Sequence, residues 1–113
     1  MKLNLYWKDI YGNSYMLGKL YMQNKKYIFD INEDELIKAT HKGCFGIVEI
    51  NLLYNHHERE ELFEFFKRRI PPRNNINIKE ILKKLNMTEY DEMILLQKTK
   101  GILNTDRYYL EED

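Results

Sequence analysis

The stretch LNLYWKDIYGNSYMLGKLYMQNKKYIFDI, residues 3–31, decides the fold. Leu3, Leu5, Trp7 and Tyr11 alternate with Asn4, Tyr6, Lys8 and Ile10, the alternation of a strand. Tyr11-Gly12-Asn13-Ser14 then supplies a tight turn, because Gly and Asn enter positive φ at low steric cost. Tyr15–Met22 reads as a second strand, with Leu17, Lys19 and Tyr21 on one face and Met16, Leu20 and Met22 on the other. Gly18 inside it marks a bulge or a close backbone approach. Asn24-Lys25 makes the next turn, and Tyr27, Phe29 and Ile31 form a third strand. Connections this short imply an antiparallel meander.

Working outward, Asn32 caps a short helix over Glu33–Lys42, whose acidic first turn suits the positive end of the helix dipole, and Gly43 ends it. CFGIVEINLL, Cys44–Leu53, is apolar and β-branched and reads as a strand; Tyr54-Asn55-His56-His57 is a connector. The second half reads as helical. Glu58–Arg69 carries Leu62, Phe63, Phe66 and Ile70 at spacings of three and four, an apolar stripe that Pro71-Pro72 terminates. Asn77 with Glu80 resembles a capping box ahead of Ile78, Ile81, Leu82 and Leu85. Thr88-Glu89-Tyr90-Asp91 resembles another, opening a helix with Tyr90, Met93, Ile94 and Gln97 on one side and a C-cap at Gly101. Arg107–Leu110 returns as a short strand. The expectation is one α+β domain over 1–113: sheet 3–31, mixed 33–53, helical 58–100, and a terminal strand at 107–110.

Composition bounds the function classes. The chain has 113 residues, 43% of them hydrophobic, and its 18 basic and 18 acidic side chains cancel, which argues against disorder and against whole-molecule attraction to polyanions. It has no apolar run of membrane-spanning length and no apolar stretch at its start, so the reading is a protein without membrane partner. The lone cysteine, Cys44, excludes an internal disulfide and fits a reducing cytoplasm.

Charge is uneven all the same. Between Lys67 and Lys84 lie seven basic residues and one acidic residue, Glu80. Lys67, Arg68, Arg69 and Arg73 bracket the stiff Pro-Pro corner, a candidate contact for a nucleic-acid backbone or an acidic partner, since arginine forks match phosphate and carboxylate. The competing reading is a solvated helix face with Arg68 or Arg69 paired to Glu58, Glu61 or Glu64. Tyr6, Trp7, Tyr15 and Tyr21 on the meander are candidate partner-interface residues, with cross-strand packing and stacking on bases as the alternatives. His41-x2-Cys44 and His56-His57 offer zinc-type donors, but adjacent histidines point apart and there is no cysteine pair, so no metal and no cofactor are expected. No nucleophile elbow, phosphate loop or H-E-x-x-H occurs, so no catalytic residue is assigned and the protein reads as non-enzymatic.

From Tyr54 to Asp106 the residues Leu62-Phe63, Phe66, Arg69, Leu95-Leu96, Thr99, Gly101 and Thr105-Asp106 follow in an order that resembles the N-terminal region of bacterial HIRAN-type proteins. The same residues resemble more weakly the first N-terminal subdomain of HipA toxin kinases and the small HipS-like proteins, and Leu17-Gly18-Lys19-Leu20 and Tyr27-x-Phe29 fit the patterns of both families. Lys100-Gly101 stands where that pattern has a double glycine. The resemblance implies an accessory module that docks to another protein (a toxin kinase, a repressor or a nucleic-acid enzyme) in a bacterial or phage toxin–antitoxin, defence or counter-defence system. The alternative is a DNA- or RNA-binding module using the Lys67–Arg73 corner.

Overall fold

A computed structural model describes residues 1–113. The meander forms as expected: β1 (Lys2–Lys8), β2 (Ser14–Gln23) and β3 (Lys26–Ile31) pair antiparallel. A buried carboxylate organises the first turn. Asp9 accepts from the Tyr11 and Asn13 amides, each at 2.9 Å, and from the Tyr15 hydroxyl at 3.1 Å. Burial alone would raise its pKa, but these donors outweigh burial and hold the carboxyl below its ordinary range. At the second turn Asn24 (φ 53°) and Lys25 (φ 63°) both adopt positive φ, the geometry that matches strand twist in a two-residue hairpin.

Asn32 caps α1 (Glu33–His41) through its side chain, which accepts from the Glu35 amide at 3.3 Å. The remaining elements are β4 (His56–Arg59), α2 (Glu64–Lys67), α3 (Ile78–Lys84), α4 (Glu92–Thr99) and β5 (Tyr108–Glu112). The sheet order is β4-β3-β2-β1-β5, antiparallel throughout. The architecture is α+β, with the expected terminal strand pairing against β1.

Several expectations are corrected. Cys44–Leu53 forms no strand: Gly46 (φ 93°) and Glu49 (φ 69°) break the extended backbone, and the segment is an irregular connector. The edge beside β3 is taken instead by His56–Arg59, expected as connector and helix; the Ile31 amide donates to the Asn55 carbonyl at 2.7 Å to start the ladder. The expected helix over Glu58–Arg69 therefore shrinks to the single turn of α2, although Leu62, Phe63, Phe66 and Ile70 are all buried as its stripe requires. Farther along, neither capping box forms. Asn77 makes no side-chain cap, its own amide being taken by the Asn75 side chain at 2.8 Å. Asp91 rather than Thr88 caps α4, accepting from the Ile94 amide at 3.1 Å, and the buried side is Met93, Leu95 and Leu96. Lys100, at φ 59°, and Gly101 close that helix in the left-handed region.

The core lies on one face of the sheet. Leu3, Leu5, Leu20, Phe29 and Leu110 meet Leu36 and Ala39 of α1, Phe65 and Phe66 of α2, and Leu95 and Leu96 of α4 in one cluster. Between Leu5 and Tyr6 the register with β2 skips Leu17, a bulge that turns Leu17 inward and splits it from Lys19 and Tyr21. Beside it, Gly18 leaves room for Phe29, whose ring would lie 2.5 Å from a Cβ at that position.

The opposite face carries no buried helix residue and is knitted by its own polar groups. Tyr21 donates to Asp30 at 2.6 Å, His56 bridges Asp30 at 2.5 Å and Glu58 at 3.0 Å, and Lys19 meets Asp113 at 2.7 Å. Hydrogen bonds to Glu58 and Asp30 raise the His56 pKa, and the bond to His56 lowers that of Glu58. A raised imidazole pKa stabilises the fold fully below the unfolded value of about 6.5 and loses that contribution as pH climbs through the folded value. Glu58 contributes in the other sense, above about 4.5, and its contribution is lost on acidification. His56→Gln is therefore expected to lower the urea midpoint near pH about 5.5 and to leave it nearly unchanged near pH about 9. An equal loss at both pH values would show that the imidazole charge contributes nothing.

Candidate docking surface

The Lys67–Arg73 corner disperses in the fold. Lys67 meets Glu61 at 3.5 Å and Glu64 at 3.8 Å, and Arg68 pairs with Glu49 on the connector. Arg69, its side chain 3% exposed, turns inward to form a two-pronged pair with Asp106 and to donate to the Gly101 carbonyl at 2.8 Å. Only Arg73 stays exposed without a carboxylate, lying 4.6 Å over the Tyr90 ring. Three guanidinium groups at one exposed turn is thus corrected. The short α2 turn sends successive side chains to different sides, and Arg69 is the one that turns inward because its guanidinium lies over the Phe65 ring and finds acceptors in Asp106 and Gly101.

The aromatic set divides as well. Tyr6 and Tyr21 project from the open sheet face, whereas Trp7 and Tyr15 pack on the core side with ring centres 6.0 Å apart. The two-residue alternation of β1 separates Tyr6 from Trp7, so the four do not make one interface. Tyr6 stacks on Tyr109 at 5.1 Å, which realises the cross-strand packing alternative.

Several exposed apolar side chains fall on the connector Cys44–Tyr54, which is not among the expected sites. Along the connector, Cys44, Ile47 and Ile50 enter the core, a three-residue recurrence that leaves Phe45 and Val48 facing out. Phe45 is fully exposed, and Leu53, Tyr54 and Val48 are 87%, 65% and 56% exposed. Ile37 of α1, itself exposed, and Leu52 of the connector line one notch of about 260 Å³ together with Leu36, Thr40 and His41. The ridge is held rather than loose. The Tyr108 hydroxyl donates to the Gly46 carbonyl, the Cys44 sulfur lies 3.5 Å from the same hydroxyl, and His57 Nε2 meets the Tyr54 carbonyl at 2.8 Å. Burial, with the Cys44 contact, pushes the Tyr108 phenol well above its ordinary value, so it stays a donor at any physiological pH. Exposed apolar groups on an anchored backbone make this connector a candidate interaction surface. The available signal was CFGIVEINLL itself: its apolar residues fall on both parities, which a strand covered on one side does not need.

The largest cleft, about 550 Å³, runs between Met22, Tyr27, Ile70, Arg73 and Tyr90. Among the charged groups that line it, Lys67 pairs with Glu61 while Arg73 lies over the Tyr90 ring. The Tyr27 hydroxyl donates to Glu92 at 2.9 Å, and burial together with that bond raises its pKa; burial raises Tyr90 too. Neither phenol is set up to lose its proton and act as a nucleophile or base. The zinc-type donors do not converge: Cys44 is buried beside Tyr108, and His56 and His57 fall on opposite faces of β4. No helix is long and apolar enough to cross a membrane. Comparison with protein-family models, with curated proteins and with solved structures found no match to this chain.

Proposed function

We propose that the protein acts without catalysis, by docking to another protein through the connector ridge of Phe45, Val48, Leu53 and Tyr54 together with Ile37. The observation that carries this reading is the exposure of Phe45 and Leu53 on a backbone whose intervening residues are anchored in the core. Covering either side chain is worth about 1.5–3 kcal/mol, enough to make the ridge the centre of an interface. The setting we propose is a bacterial or phage toxin–antitoxin, defence or counter-defence system in the cytoplasm, with a toxin kinase, a repressor or a nucleic-acid enzyme as partner. Nucleic-acid binding at the Lys67–Arg73 corner is the weaker alternative, because three of its four cations are already paired with carboxylates.

Affinity capture from a native host lysate, read by mass spectrometry, tests the proposal with wild type and the Phe45→Asp/Leu53→Asp double variant. Both positions are off the core, so the variant should melt with the wild type. The expected result is a protein captured by wild type and reduced at least about tenfold in the variant. Capture of no protein above background, or equal capture by both, overturns the docking ridge.

A further inference from the structure

We infer that the cleft beside β5 binds a nucleotide: a phosphate carrying a nucleobase, either free or as part of a single strand. This cleft, about 450 Å³, is walled by Lys8, Lys100, Arg107 and Tyr109, with Ile102 exposed at its rim. That volume falls in the range of small-molecule sites, roughly 300–1,000 Å³. Two carboxylates also line it, and both are spoken for. Asp106 is held by the fork of Arg69 and accepts from the Tyr108 amide at 3.2 Å, and Glu111 lies 3.8 Å from Lys100.

Lys8 and Arg107 pair with no carboxylate, so their charge is free for an anion entering the cleft. Arg107 is also oriented: one terminal nitrogen donates to the Asp9 carbonyl at 3.2 Å, which fixes the guanidinium and leaves its other N–H groups undirected. A guanidinium with a lysine beside it suits phosphate oxygens. The aromatic wall distinguishes a nucleotide from a bare anion. Tyr109 stacks on Tyr6 along one side at 13° between planes, and its hydroxyl is pinned to Ser14 Oγ at 2.8 Å. The Lys8 ammonium, another lining group, lies over the same ring at 5.6 Å from its centre, a loose contact that a base replaces as the ammonium turns to the phosphate. The cleft is also lined by Tyr108, whose hydroxyl holds the Gly46 carbonyl of the connector, but none of the exposed ridge residues lines it.

Calorimetric and NMR titration of the intact chain at low salt tests this with adenosine 5′-monophosphate, adenosine, inorganic phosphate and a single-stranded oligoadenylate. The expected result is saturable binding of the monophosphate that shifts the amides of Arg107–Tyr109 and exceeds that of adenosine or phosphate by at least about tenfold. Lys8→Glu should weaken it by at least about tenfold, and Tyr109→Leu should weaken the nucleotide but not phosphate. Both positions are outside the core, and a thermal melt verifies that each variant is folded. An oligonucleotide that binds more tightly than the monophosphate, with a steep salt dependence, identifies a nucleic-acid strand as the source; equal affinity identifies the free nucleotide. No saturation by either probe up to about 10 mM, or phosphate alone binding as tightly as the nucleotide, overturns the inference. Binding untouched by both substitutions in the folded variants does so too.

Discussion

Arg69→Ala is expected to lower stability by about 3–5 kcal/mol, as removal of one partner from a buried ion pair does. For a chain of this size, total stability is roughly 5–15 kcal/mol, so the variant would stand near the edge of folding. The size follows from what Arg69 joins. Its guanidinium carbon lies 4.4 Å from the Phe65 ring centre and 5.1 Å from that of Tyr108, between two aromatic faces. Its terminal nitrogens reach Asp106 and the Gly101 carbonyl, tying α2 to the turn after α4 and to the start of β5. Alanine would leave the Asp106 carboxylate and that carbonyl facing a cavity. A urea denaturation series is the measurement. Arg69→Met combined with Asp106→Leu should recover much of the loss, because it removes both charges and Nε, which is buried without a partner. If the double variant is as unstable as Arg69→Ala, the cost lies in packing and not in the orphaned charge.

Phe66→Ala is expected to cost about 3–5 kcal/mol, the usual penalty for emptying a large aromatic site that cannot collapse. Phe66 is fully buried at the centre of a ring cluster, with Phe65 at 5.1 Å, Phe29 at 5.5 Å and Phe63 at 6.2 Å. Phe29 belongs to β3 and the others to α2 and its cap, so the cluster is what fastens that single helical turn to the sheet. Phe66→Leu should recover more than half of the loss by refilling most of the volume. A Leu variant no better than Ala would mean that the aromatic edge contacts carry the energy and that the filled space does not.

The legibility of this chain follows how local each signal is. The meander was readable because alternation, Gly12-Asn13 and Asn24-Lys25 each act over a few residues. The α1 cap at Asn32 and the αL close at Lys100-Gly101 were readable for the same reason. Leu62, Phe63 and Phe66 were rightly placed in the core, but not in a long helix, since a stripe at three- and four-residue spacing fits a single turn flanked by extended chain equally well. The stretch from His56 to Arg59 carries almost no strand propensity; it pairs because β3 offers an open edge. The candidate surfaces were less legible still. Phe45 and Leu53 looked like strand residues, and Arg69 looked like its exposed neighbours Arg68 and Arg73.

By itself, then, the amino-acid order determined the antiparallel ribbon, the α1 start that rests on a local hydrogen bond, and the burial of the Leu62, Phe63 and Phe66 stripe. Tertiary structure alone decided which strand fills the open edge, which arginine is swallowed and paired, and which apolar groups stay outside. The reason is physical: those outcomes depend on partners far apart in the chain, such as Arg69 with Asp106 and Gly46 with Tyr108, whose meeting is settled only when the sheet closes over its core.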